Sequence, residues 1–224
     1  MENGETKNYI SNGGCGNLTN KQQEILKILD NYRYMTRSQI CQKIWGADNR
    51  KSRIQFSKHF SKSKITLLKR AGRLKESEGV YSTFARGRGA PHQIAIVDVL
   101  LDLEAEAQKL RFGFFFAYDP VSESLKPDAT VIFIDHNKIL LCYIEVHLES
   151  QEESVLHEKL DKYRELARGE RFKEKWARYA SRFNFPIPNG YGFKVLIFSK
   201  KKRKFHHPRF ISVELGQEIP EGVF

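Results

Sequence analysis

The chain has 224 residues, 40% of them hydrophobic, and carries 38 Lys+Arg against 27 Asp+Glu, a formal net charge of +11 and a pI near 9.5. That length suits one large or two small packed domains, and the mean hydropathy of −0.53 argues against a membrane protein, as does the lack of any apolar run near the ~20 residues that span a bilayer. Cys15, Cys41 and Cys142 lie far apart without CxxC spacing, which excludes a zinc ribbon or a disulfide framework, and the N-terminus lacks a signal pattern, so the expected location is cytoplasmic.

Residues 1–17 are rich in Asn and Gly without periodicity and read as a disordered leader. Thr19-x-x-Gln22 and Thr36-x-x-Gln39 are capping boxes. The first opens a helix with Ile25, Leu26 and Leu29, and the second a shorter helix with Ile40, Ile44 and Trp45, across a tight connection from Asn31 to Met35. From Arg50 to Lys75 there is no acidic residue. The cations there are Arg50, Lys51, Arg53, Lys58, Lys62, Lys64, Lys69, Arg70, Arg73 and Lys75, and Ile54, Phe60, Ile65, Leu67, Leu68 and Leu74 supply an apolar face between them. This stretch reads as one third helix ending near Ala71, with Gly72 as its stop. Two extended runs, Arg73–Glu76 and Val80–Phe84, then read as a β-hairpin around Ser77-Glu78-Gly79.

Three helices followed by a hairpin, with cations on the third helix, is a winged helix-turn-helix layout for residues 18–84. A protein-docking module has the same layout, but the unbroken basic run favours double-stranded DNA. Lys62, Lys64, Lys69 and Arg70 would mostly meet phosphate, while Gln55, Ser61 and Ser63 are within reach of base edges. Residues 85–91 read as a linker whose Arg86 and Arg88 either ride along the DNA backbone or keep the linker soluble.

A second domain, 92–224, starts with a helix over Ile94–Leu110 carrying Asp98, Asp102, Glu104 and Glu106, followed by a strand at Phe114–Tyr118. Thr130–Ile134 and Ile139–Ile144 are β-rich runs. If His136 and Asn137 form a two-residue turn, opposed residues sum to 273, and Asp128 faces Glu145 at roughly 5 Å between Cβ atoms. His147 lies on the same strand face as Glu145. Facing carboxylates repel unless a proton or cation sits between them, and hard divalent ions are bound by such pairs. The alternative is that both acids lie on a solvated face.

Ser150-x-x-Glu153 opens a helix through Ala167 with a buried stripe of Leu156, Leu160, Tyr163 and Ala167; Lys159 borders that stripe and can point toward the sheet. In residues 168–185, Phe172, Trp176, Tyr179 and Phe183 alternate with cations, a pattern that suits nucleic acid but fits core packing better. After Pro186, Pro188 and Gly190 come a buried strand at Phe193–Ser199, a basic block at Lys200–Lys204 and a last strand at Ile211–Leu215. The block reads as an import signal or as a DNA contact.

Pro127-Asp128, then Glu145-x-His147 after a hairpin, then a helix with Lys159 and Lys162 resembles the PD-(D/E)XK nuclease core. The resemblance implies a restriction-endonuclease-like mixed sheet, with Asp128, Glu145 and the Val146 carbonyl holding Mg²⁺ or Mn²⁺. His147 stands where that family usually carries lysine, so His147 or Lys159 would orient or deprotonate the attacking water. A third acid from the first helix, Asp102 or Glu104, would complete the set, although a solvated acidic face is the commoner case. The winged helix, His92, Pro127-Asp128, Glu145 and Lys159-x-x-x-Tyr163 together resemble the replication-relaxation family of plasmid and mobile-element proteins over about residues 19–167. That resemblance implies an α/β chain acting in plasmid replication, relaxation or mobilisation, beside replication or mobilisation proteins. A homodimer is expected from how such proteins read palindromes. The function class from another direction is a non-catalytic regulator on a degenerate nuclease fold, and an antiphage effector would use the same core.

Overall fold

The structure is a computed structural model describing residues 18–71, 74–77, 79–83, 90–122, 124–135, 138–149, 151–168, 171–185, 192–217, 219–220 and 223. The leader, the Gly72 stop, Arg73, Glu78, Arg86 and Arg88, the His136-Asn137 turn, Ser150, and Pro186 to Gly190 fall outside the described residues. The architecture is mixed α/β and divides into two compact units, residues 1–97 and 98–224.

The first unit holds helices α1 (Asn20–Tyr32), α2 (Arg37–Trp45), α3 (Arg50–His59) and α4 (Lys62–Arg70), with strands β1 (Tyr34–Thr36), β2 (Lys75–Ser77) and β3 (Val80–Ser82) in a small antiparallel sheet of order β1-β3-β2. Both threonine capping boxes form, with Gln22 and Gln39 returning the bond to the cap. The tight connection before α2 contains β1, which pairs with β3 and makes the expected two-stranded hairpin a three-stranded sheet. The expected single third helix is two. Phe60 leaves helical geometry to stack on Phe56 at 5.6 Å in the core, and Ser61 caps a new helix by accepting from the Lys64 N–H. The apolar face expected over this stretch is also divided: Phe60, Leu68 and Leu74 are buried, but Ile54 and Leu67 are 47% and 45% exposed.

Helix α5 (Ala90–Lys109) begins in the first unit, where its Ile94 carbonyl accepts from Gln39, and continues into the second. The second unit is built on a five-stranded sheet of order β4-β5-β6-β7-β8: β4 (Gly113–Ala117), β5 (Ala129–Asp135), β6 (Lys138–His147), β7 (Phe193–Ser199) and β8 (Phe210–Glu214). The first three strands are antiparallel, and β6, β7 and β8 run parallel. A parallel β6–β7 pair needs a crossover, which contains α6 (Glu153–Arg168) and α7 (Arg171–Phe183).

The β5–β6 register runs from Asp135 opposite Lys138 to Ala129 opposite Ile144, the pairing derived from the two-residue turn. One face of the sheet (Ile132, Leu141, Tyr143, Val195, Ile197) joins Leu156, Leu160 and Tyr163 of α6 and Phe172, Trp176 and Tyr179 of α7 in one core. Val131, Phe133, Cys142, Ile144 and Val146 point the other way and are buried too, which explains why β5 and β6 read as continuous apolar runs. The aromatic residues of α7 are therefore core residues. Trp176 is 1% exposed and donates to the Gly192 carbonyl at 3.3 Å. Trp176→Ala should lower the unfolding free energy by about 3–5 kcal/mol in urea titration; a variant as stable as the parent would show that this ring is not part of the core.

Candidate functional site

Asp128 stands one residue before β5, and its position is set by the backbone. Its N–H donates to the Ile144 carbonyl at 3.0 Å, and its Oδ2 accepts from the Val146 N–H at 2.7 Å. Glu145 is 2% exposed on the sheet face that packs α6. Alternation along β6 puts Tyr143, Glu145 and His147 on that face, and two turns of α6 supply the partners. The Lys159 ammonium donates to Glu145 Oε2 at 2.5 Å and lies 3.8 Å from Asp128 Oδ1. One turn further on, the Tyr163 hydroxyl donates to Glu145 Oε1 at 2.7 Å. Asp128, Glu145 and Lys159 are thus brought together as the sequence predicts.

His147 lines the same small cavity, of about 30 Å³, with Gln151, Val155 and Leu156. Its Nε2 lies 3.6 Å from Glu153 Oε2, and Glu153 is also paired with Arg203. Neither Asp102 nor Glu104 lines this cavity. Tyr163, Gln151 and Glu153 are the participants that sequence reasoning missed as site residues. Tyr163 was read as a stripe residue and within the Lys159-x-x-x-Tyr163 likeness, without a role at the acid pair, and its i+4 spacing from Lys159 was the available signal. In the basic block, Lys200 pairs with Glu149 at 2.8 Å.

The electrostatics follow from burial. Burial pushes the Glu145 carboxyl up from 4.5 to about 7, the Asp128 charge adds to this, and Lys159 and Tyr163 only partly offset it. Burial alone would lower the Lys159 pKa, but the two carboxylates outweigh it and raise it, which keeps the group an ammonium donor in this arrangement. Among the described residues no group of three or more His, Cys, Asp and Glu could hold a metal. Two carboxylates do match a hard dication that completes its shell with water and phosphate oxygens; they do not match zinc.

A second concentration of charge lies in the first unit. Gly46, left-handed at φ +73°, caps α2, and a four-residue turn, Gly46 to Asn49, leads into α3. Asp48 in that turn accepts from Arg53 (2.7 and 2.5 Å) and from Ser38 (2.8 Å), and the Arg53 bonds are the main reason its carboxyl is held down at about 2. Arg37 donates to the Arg53 carbonyl and Ser57 Oγ, with its guanidinium 5.5 Å from the Phe56 ring centre. Arg37, Arg50, Arg53, Ile54, Ser57 and Lys58 line an open concavity of about 500 Å³ without an acidic residue. Arg37 was not among the predicted cations, because it lies outside the acid-free run.

Of the predicted cations, Arg50, Lys51, Arg53, Lys58, Lys62, Lys69 and Arg70 are exposed and Lys64 is half-buried. Lys69 reaches back to Glu76 of β2 at 3.2 Å. Comparison with known proteins finds no matching family model, curated protein or solved structure. Among the described residues, no helix is long and apolar enough to cross a membrane.

The raised Glu145 pKa has a defined sign for stability. The native state holds a proton that the unfolded state has already released, so stability contributed by this group is present below about pH 4.5 and is lost as pH rises to about 7. In metal-free buffer, Glu145→Gln should flatten the decline of melting temperature between pH 5 and 7. An unchanged slope would show that Glu145 is not the group responsible.

Proposed function

We propose that the protein binds double-stranded DNA through its first unit, a winged helix-turn-helix, and that its second unit is a PD-(D/E)XK-like, restriction-endonuclease-like domain that cuts a phosphodiester with Mg²⁺ or Mn²⁺. DNA binding is supported by the order α1-β1-α2-turn-α3, followed by α4 and the β2–β3 hairpin, with a cationic concavity on α2 and α3 whose lining holds no acidic residue. The observation that carries the second half is the delivery of Lys159 from α6 to the Asp128–Glu145 pair. It supplies, from the helix, the lysine that His147 displaces from the strand.

In this reading Asp128 and Glu145 hold the metal. A bound dication supplies Lewis-acid stabilisation of charge on the scissile phosphate and the leaving oxygen. Lys159, held protonated, donates to the attacking water or a phosphate oxygen once it leaves Glu145, and Tyr163 keeps Glu145 oriented while it does so. The likeness in Pro127-Asp128, Glu145 and Lys159-x-x-x-Tyr163 to the replication-relaxation family supports a role in replication or mobilisation of a plasmid or mobile element, in the cytoplasm, with a homodimer as the DNA-bound form.

One observation favours a second reading. The Lys159 ammonium already serves as the cation between the acids, and both Glu145 oxygens accept hydrogen bonds, as in a regulator that kept the fold without the chemistry. Supercoiled plasmid incubated with Mg²⁺, Mn²⁺ or EDTA separates the two. Metal-dependent nicking that is lost in Asp128→Asn and falls at least about 100-fold in Lys159→Ala supports the nuclease; DNA binding without cleavage, equal in parent and variants, supports the regulator. Charge reversal at Arg50 and Lys58 should weaken DNA binding and reduce the slope of log K against log salt by about 2, and binding that ignores both reversals would remove the first unit from the reading.

A further inference from the structure

The division of the basic stretch into α3 and α4 raises the question of which helix reads DNA. In a helix-turn-helix the second helix of the pair enters the major groove, and its N-terminal residues reach base edges. The pair joined by a short, glycine-capped turn is α2 and α3, and that turn is stapled by Asp48 to Arg53 and Ser38. Lys69 on α4 is instead turned back to the sheet.

Charge on α3 is arranged against its own dipole. Its first turn has no acidic residue and begins Arg50-Lys51, where a cation opposes the positive end of the helix dipole. Such a local conflict is relieved by a polyanion and is expected at functional positions. Ile54 lies one turn beyond Arg50 and one turn before Lys58, 47% exposed inside the cationic concavity. An aliphatic side chain between phosphate-seeking cations has a specific counterpart in DNA, the thymine 5-methyl group, which projects only into the major groove.

We propose that α3 is the sequence-reading helix, with Ile54 packed on a thymine methyl group in the major groove and Arg50 and Lys58 on the flanking phosphates, while α4 stays outside the groove. The inference rests on the DNA-binding reading above.

The test uses the full chain. Duplexes are selected from a random-sequence pool, and affinity is then measured by fluorescence anisotropy for the selected duplex and for versions with deoxyuridine replacing each thymine in turn, which removes only the methyl group. The parent should lose about fourfold in affinity at one or two positions, the effect of one buried methyl group. Ile54→Ala should lose that discrimination with an unchanged salt slope, and Ile54→Val should keep part of it. Ile54 is exposed, so both variants should fold, as an unchanged melting temperature would show. The inference is overturned if no thymine position matters to the parent, or if Ile54→Ala discriminates like the parent while Leu67→Ala does not. A parent that binds duplex DNA without selecting a sequence overturns the inference alone. A parent that binds no duplex overturns the DNA-binding reading, and the inference with it.

Discussion

A single ammonium group makes the centre of the second unit electrically tolerable. Strand pairing brings Asp128 and Glu145 to the same end of the β5–β6 ladder, where Glu145 is buried and Asp128 half-buried, so little water is left to screen Glu145. Two carboxylates left alone in such a place would cost several kcal/mol, enough to protonate one of them or unpair the strands. Lys159 bridges the pair from α6, and Tyr163 on the same helix takes the other Glu145 oxygen. The docking of α6 on the sheet and the ionisation of the acid pair are therefore one arrangement. A change in either is felt by the other.

That coupling limits what the site can do. A lysine held charged by two acids is a donor in this arrangement, which matches the stabilisation of a phosphate or the orientation of a water. His147 shares the cavity with Glu145 and Lys159, and its ring also lies 3.6 Å from Glu153, which pairs in turn with Arg203. Entry of a dication between the carboxylates requires Lys159 to yield the bridging position. The same residues can thus serve a catalytic or a purely structural purpose, with metal and ammonium competing for one position.

The first unit uses charge in the opposite manner. There the cations are left facing solvent, and Asp48 and Glu76 are the carboxylates that tie Arg53 and Lys69 in place. The turn before α3 is rigidified by Asp48, Ser38 and Arg53, while Arg50, Lys51 and Lys58 remain exposed on the helix that follows. Rigid backbone with unneutralised side chains is a suitable surface for a polyanion, because little ordering is required on binding.

The sequence alone was sufficient where the physics is local or strictly periodic. Capping boxes at Thr19 and Thr36 are four-residue devices, and they form as written. The acid pair was legible because a two-residue turn and a period of two leave one register, and Lys159 followed from its place at the edge of the α6 stripe. What depended on distant partners was hidden. The break at Phe60 occurs because its ring is drawn onto Phe56, and β1 exists only because β3 pairs with it. Arg37 joins the cationic concavity through its bonds to Arg53 and Ser57, residues on another helix, and Ile54 is left exposed although its spacing reads as apolar face. Periodicity shows which residues share a side of a helix, but only packing determines which side is covered.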